Sequence, residues 1–163
     1  MRRFTAILVA GFVLFGFGSG AIAAPKARHS ATRFYAPASY AKAANVIRLA
    51  NRGDRRAQAY LGFIYQTGKG VAQNYELAAY WYGLAAERGD GNAQFALGLM
   101  YNKGQGVPAD FVQAHKWLNL SAAQAKGEDR DFKVRIRNSI ETKMSVAQVQ
   151  TAQQLARDWS RMR

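Results

Sequence analysis

Two stretches of this chain can be laid over one another without a gap. GDRRAQAYLGFIYQTGKGVAQNYELAAYWYGLAAER runs from Gly53 to Arg88, and GDGNAQFALGLMYNKGQGVPADFVQAHKWLNLSAAQ runs from Gly89 to Gln124, a period of 36 residues. A fixed period of this size restricts the fold severely. Each unit is one supersecondary element that cannot bury its apolar face alone, so neighbouring units must stack into a solenoid.

The matched positions say what each unit is. Ala57 and Ala93 are small enough to let one helix approach another. Leu61 and Leu97, with Tyr65 and Tyr101 four residues on, make one apolar helix face. Gly62 and Gly98 fall inside those helices, where glycine costs about 1 kcal/mol against alanine; its presence in both copies points to a crossing too tight for a side chain. Gly68 and Gly104 are placed to end the first helix in a left-handed cap, and Gly70 and Gly106 suit the tight loop that follows. Val71 and Val107 are expected to plug that loop into the core. Asn74 and Asp110 are positioned as N-caps of the second helix, Asp110 forming a capping box with Gln113. Ala78 and Ala114, Trp81 and Trp117, and Ala86 and Ala122 mark the inner face of that helix, and Gly89 closes the first copy. Helices are predicted near 54–66, 75–87, 90–102 and 111–125. The segment Tyr40 to Arg52 reads as a half unit, because Ala50-Asn51-Arg52-Gly53 parallels Ala86-Glu87-Arg88-Gly89.

Beyond the copies, Phe132, Ile136 and Ile140 recur every fourth residue, with Met144 next, and Val149, Ala152, Ala156 and Trp159 form a second stripe. Helices are predicted over 128–143 and 146–160, the latter opened by a capping box of Ser145 and Gln148. Such a pair has the polar outer face that a terminal unit needs.

The pattern AxxxLGxxYxxGxGV…AxxWxxxAA…G, spread over residues 39–125, resembles the Sel-1-like repeat, a relative of the tetratricopeptide repeat. KMSVAQVQTAQQLARDW, from Lys143 to Trp159, is similar to the C-terminal cap of many bacterial members. The resemblance implies an all-α fold: a right-handed α-α superhelix, or solenoid, of helix–loop–helix repeats ending in a helical cap. It further implies a protein that presents surfaces to partner proteins, often in envelope signalling or stress regulation. Some secreted relatives pair cysteines within each repeat; this chain has no cysteine and must hold by packing.

The N-terminus reads as an export signal. Arg2 and Arg3 precede an almost wholly apolar run from Phe4 to Phe17, and Ala21-Ile22-Ala23 supplies the small-x-small pattern for cleavage after Ala23. The alternative is an uncleaved membrane anchor, since the run nearly reaches spanning length; the small residues at its end favour cleavage to a periplasmic or secreted chain. Residues 24–38, with Pro25, Pro37, Lys26, Arg28 and Arg33, read as a flexible basic leader. The remaining 39–163 form the repeat domain: half repeat 39–52, repeats 53–88 and 89–124, and helical cap 126–163. Losing residues 1–23 removes two arginines and no acid, so the net charge falls by two from +13 to +11. The basic character therefore belongs to the working protein and attracts acidic surfaces or polyanions.

Chemistry is sparse. His29 lies in the leader, and His115 stands where the first copy has Ala79, so it reads as structural. No HExxH, GxSxG or histidine–carboxylate cluster with metal spacing occurs. Gly104-x-Gly106-x-x-Ala109 imitates a dinucleotide fingerprint, but a helix precedes it where that motif requires a strand. Glu128, Asp129 and Asp131 open a predicted helix, where they suit the helix dipole. Periodicity puts Tyr65, Trp81, Tyr101 and Trp117 in the core and not on a base-stacking platform. No catalytic residue, cofactor, metal or small-molecule substrate is expected.

Two surfaces remain as candidates. The first helices should line the concave side of a solenoid. Their positions off the core stripe are Arg56, Tyr60, Phe63 and Thr67 in the first copy, and Asn92, Ala96, Leu99 and Lys103 in the second. These sets differ while the core positions match, as on a shared scaffold with a bespoke surface. Tyr60 and Phe63 stand out, because exposed aromatics anchor protein interfaces; the alternative is that they fill a gap between repeats. The other surface is basic: Arg130, Lys133 and Arg137 share one face of the cap helix, with Arg135 nearby. It would suit an acidic protein or an anionic envelope component such as cell-wall polymer, lipopolysaccharide or lipid headgroups, and nucleic acid is a further polyanion. The first reading is therefore an exported adaptor for a protein partner, and the alternative a polyanion-binding envelope protein.

Overall fold

The computed structural model describes residues 38–162, with side chains from Asn45 onward, and shows seven α-helices and no strand among them. The two segments assigned to the export signal and the leader lie outside the described residues, apart from Ala38. The helices are α1 (Ala38–Asn51), α2 (Arg55–Thr67), α3 (Tyr75–Glu87), α4 (Gly91–Lys103), α5 (Phe111–Gln124), α6 (Gly127–Glu141) and α7 (Val146–Arg161). Each packs on the next up to α6, and α5 receives both α6 and α7, so this is an all-α repeat solenoid. The boundaries expected from the periodicity hold to within a residue or two.

The helix pairs meet at glycine. A Cβ added to Gly62 would lie 2.7 Å from the Tyr82 ring, and one added to Gly98 would lie 2.8 Å from Leu118 and 3.1 Å from the Ala114 carbonyl oxygen. The crossings α2 on α3 and α4 on α5 are thus as tight as the repeated glycines suggested. The largest core cluster is built from Ala78, Tyr82, Ala85 and Ala86 of α3, Ala93, Leu97 and Met100 of α4, Trp117 and Leu120 of α5, and Ala156 of α7. Smaller clusters flank it, one around Ala57, Leu61 and Ile64, the other around Ala114, Leu118 and Ile140.

Each unit stops and restarts by the chemistry of its loop. Gly68 and Gly104 take the left-handed conformation with φ of 69° and 66°, and their N–H groups close on Ile64 and Met100. The N–H groups of Asn74 and Asp110 then reach back to the carbonyls of Tyr65 and Tyr101, while their side chains accept from Leu77 and Gln113. Asp54 and Asp90 cap α2 and α4 in the same way, a matched pair that was not read from the sequence.

Four expectations need correction. The capping box of Asp110 is half made: its backbone N–H is already committed to Tyr101, so Gln113 has nothing to return to. Ser145 and Gln148 form theirs in full. Val107 packs on the main cluster, but Val71 is exposed. The reason is visible at the loop glycines: Gly106 backs onto the Tyr75 backbone of the preceding copy, whereas nothing lies within 4 Å of a Cβ at Gly70. The third correction concerns Trp81, which is half-buried at the edge of the Leu61 cluster; its neighbour Tyr82 takes the interior place. The fourth is in α6, where Ile140 is fully buried but Phe132 is exposed on one side and meets the Phe95 ring on the other.

Three glycines inside helices separate tight packing from mere helix weakness. Gly62→Ala and Gly98→Ala should each destabilise the fold by about 1–3 kcal/mol, because overpacking outweighs the gain in helix propensity. Gly83→Ala, with nothing within 4 Å of its Cβ, should stabilise it by about 0.5–1 kcal/mol. Urea unfolding of the three variants reads the sign directly.

Candidate functional site

Arg56, Tyr60, Phe63 and Thr67 recur at i, i+4, i+7 and i+11 on α2, on a flank about 100° round the helix from Ala57, Leu61 and Ile64, and all four are exposed. Tyr60 and Phe63 each keep 41 % of their surface open, and their rings stack at 6.3 Å and 21°. The Thr67 hydroxyl turns inward and donates to the Phe63 carbonyl. This is a firm aromatic step on a helix that its inner face and two end caps hold rigid.

The second copy contributes less. Asn92 and Lys103 are exposed at the two ends of α4. Ala96 packs on the main cluster, and Leu99 is half-buried against the Ala114–Leu118–Ile140 cluster. The candidate face is therefore concentrated on α2, and Leu99 belongs partly to the packing of the cap.

The basic cap face does not form as expected. Lys133 is 7 % exposed. Its stem lies under the cap, its ammonium sits 5.8 Å from the centre of the Phe95 ring, and it escapes only to Asp129 at 2.9 Å. Arg137 donates to Asn119 on α5 at 2.8 Å and to Asn138, and lies 3.7 Å from Glu141. The spacing that put these residues on one face is right, but that face turns toward α4 and α5. Arg130 and Arg135 are exposed.

Several polar contacts that organise the molecule were not read from the sequence. His115 is completely buried, and its Nε2 meets Glu141 Oε1 at 2.7 Å, tying the second repeat to the cap; its Nδ1 has no hydrogen-bond partner among the described residues. Gln58 and Gln94, one period apart, donate to the carbonyls of Ala50 and Ala86 and so join each helix pair to the helix before it. The repeat was the available signal for this pair. Trp159 donates to Glu87 across the stack.

Burial shifts three titratable groups among the described residues. Burial pushes the Tyr82 phenol up to about 12, and its hydroxyl donates to Gln66. Burial also raises Tyr101, helped by the charges of Asp110 and Glu87. Lys116 is lowered by burial, against the pull of Glu87, and its ammonium lies 4.1 Å over the Trp117 ring. Among the described residues no three of His, Cys, Asp and Glu are grouped to hold a metal ion.

The raised phenol carries a pH signature. Between the ordinary tyrosine value of 10.0 and about 12, the unfolded chain releases a proton that folded Tyr82 keeps, so stability is lost as pH rises through that window. Tyr82→Phe should flatten the fall of Tm between those pH values, relative to the parent chain.

Comparison with protein families matches the Sel1 repeat at residues 55–90 and 91–126. A solved structure described as a protective antigen present in uropathogenic Escherichia coli strains, displaying an SLR fold, aligns with a TM-score of 0.66 at 33 % identity, over 72 % of this chain and 24 % of that one. A Sel1 repeat protein from Oxalobacter formigenes aligns with a TM-score of 0.52 at 35 % identity, over 56 % of this chain and 26 % of that one. The chain thus spans about a quarter of the length of each of these proteins. No curated protein matches it.

Proposed function

We propose that this chain, a Sel1-like repeat protein, is an exported scaffold that captures a protein partner on the exposed Tyr60–Phe63 face of α2. Sel1 repeats generally serve as scaffolds for protein–protein interaction, and this chain has the rigid helical stack that such a role needs. The observation that carries the reading is the stacked, open Tyr60–Phe63 pair. Two large rings held in place on a capped helix lose little freedom on binding, which is what an interface anchor requires. Arg56 supplies a charged rim beside them. Export is inferred from the apolar N-terminal run and the Ala21-Ile22-Ala23 pattern, and envelope signalling or stress regulation is the setting in which we place the scaffold. The polyanion alternative rests on the net positive charge and on the basic cap face, where Arg130 and Arg135 are exposed while Lys133 and Arg137 make internal contacts.

Two measurements test this. The double variant Tyr60→Ala, Phe63→Ala should lose cross-linked capture of the partner from an envelope extract while its circular dichroism stays that of the parent; unchanged capture moves the interface off α2. N-terminal sequencing of the chain recovered from that extract should begin at Ala24; a start at Met1 would show the apolar run retained as an anchor.

A further inference from the structure

The two copies differ in what covers the groove beside their second helix. In the second copy α7 lies against α5, and Trp159 meets the Trp117 ring edge-on at 6.2 Å while its indole N–H donates to Glu87 at 2.8 Å. One period earlier Trp81 stands for Trp117 and Asn51 for Glu87. There, between α1 and α3, the groove is an open pocket of about 240 Å³ lined by Asn51, Arg52, Gln58, Trp81, Leu84 and Arg88 among others.

A buried glutamine reports on the same difference. Gln58 is 2 % exposed, and its Nε2 donates to the Ala50 carbonyl at 3.0 Å, which fixes the amide and leaves Oε1 without a partner among the described residues. In the second copy Gln94 makes the same bond, and its Oε1 accepts from Gln124 Nε2 at 2.7 Å. The position of Gln124 is held in the first copy by Arg88, whose guanidinium turns back to the Leu84 carbonyl at 3.2 Å. The first groove therefore has a half-buried tryptophan that the Tyr80 ring meets edge-on at 5.2 Å, an acceptor unfilled among the described residues and two guanidinium groups, and no carboxylate among its lining residues.

We propose that the groove between α1 and α3 docks an amphipathic helix of a partner protein, one that presents an aromatic side chain as α7 presents Trp159, with carboxylates beside it for Arg52 and Arg88. Its N–H donors would complete Gln58 as Gln124 completes Gln94. Charge selects this occupant over the chain's own segments. Residues 24–38 carry Lys26, Arg28 and Arg33 and no acid, and α7 carries Arg157 and Arg161 near its end. The inference rests on the scaffold reading but uses a different surface from Tyr60 and Phe63.

The probe is a labelled synthetic peptide of residues 146–162 with Arg157→Glu and Arg161→Glu, titrated into the full chain by fluorescence anisotropy. It should bind saturably, and about tenfold more tightly than the same peptide with its arginines retained. The variant Arg52→Glu, Arg88→Gln should weaken it by about tenfold or more while keeping parental circular dichroism, since glutamine at 88 recreates the Gln94–Gln124 pairing. The Tyr60→Ala, Phe63→Ala variant should bind it unchanged, which separates this groove from the α2 face. Absence of binding to the parent chain, equal binding of the two peptides, equal binding by the Arg52/Arg88 variant, or tighter binding of a peptide of residues 24–38 would each overturn the proposal.

Discussion

Each repeat depends on two helices touching where one of them has no side chain. At Gly62 the Tyr82 ring occupies the place a Cβ would take, and at Gly98 Leu118 does so. The approach goes with a core rich in small residues: Ala78, Ala79, Ala85 and Ala86 of α3, Ala93 of α4 and Ala156 of α7 make up much of the largest cluster. It also decides the fate of the neighbouring aromatics. Successive residues on a helix point about 100° apart, so once Tyr82 faces α2, Trp81 is turned to the edge of the pair. Whether such a tryptophan ends up covered depends on what is stacked beside it. Trp117 is covered by α7, and Trp81 faces the groove next to α1.

That dependence explains which parts of the structure were legible beforehand. Helices, glycine caps, N-caps and the tight crossings are local or lie within one unit, so the period of the sequence encodes them twice. Burial that is supplied by the next unit is not encoded in the residue itself. Val71 and Val107 are the same residue at the same register, yet only Val107 has a preceding copy beneath its loop. Lys133 misled for a related reason: a lysine on the inner face of an amphipathic helix reads as a surface charge, and only the Phe95 ring and Asp129 beside it show how its stem is buried. That Tyr60 and Phe63 stand off the core stripe was legible, because it follows from helix phase; their stacking was not. The open groove was not, because it appears only when the equivalent places of the two copies are compared in space.

The charge of the chain acquires a location in the same way. Within the cap, Lys133 and Arg137 are drawn into contacts that hold α6 to the second repeat, and Lys116 lies along Trp117. At the other end of the described stack, Arg48, Arg52, Arg55, Arg56 and Arg88 are all exposed around the first helix pair. Arginine suits this place, since its guanidinium binds carboxylates in a fixed geometry and is weakly hydrated. Tyr60 and Phe63 lie on one helix of that pair and the groove of Trp81 beside the other, so aromatic anchors and basic rim occupy one end of the repeat. Charges in a rim of this kind govern how fast an acidic partner arrives, and the buried aromatic contacts govern how long it stays. A polyanion held by the arginines alone would lack the second term. On the scaffold reading proposed above, open rings beside exposed guanidinium groups are what an acidic-rimmed protein partner would engage.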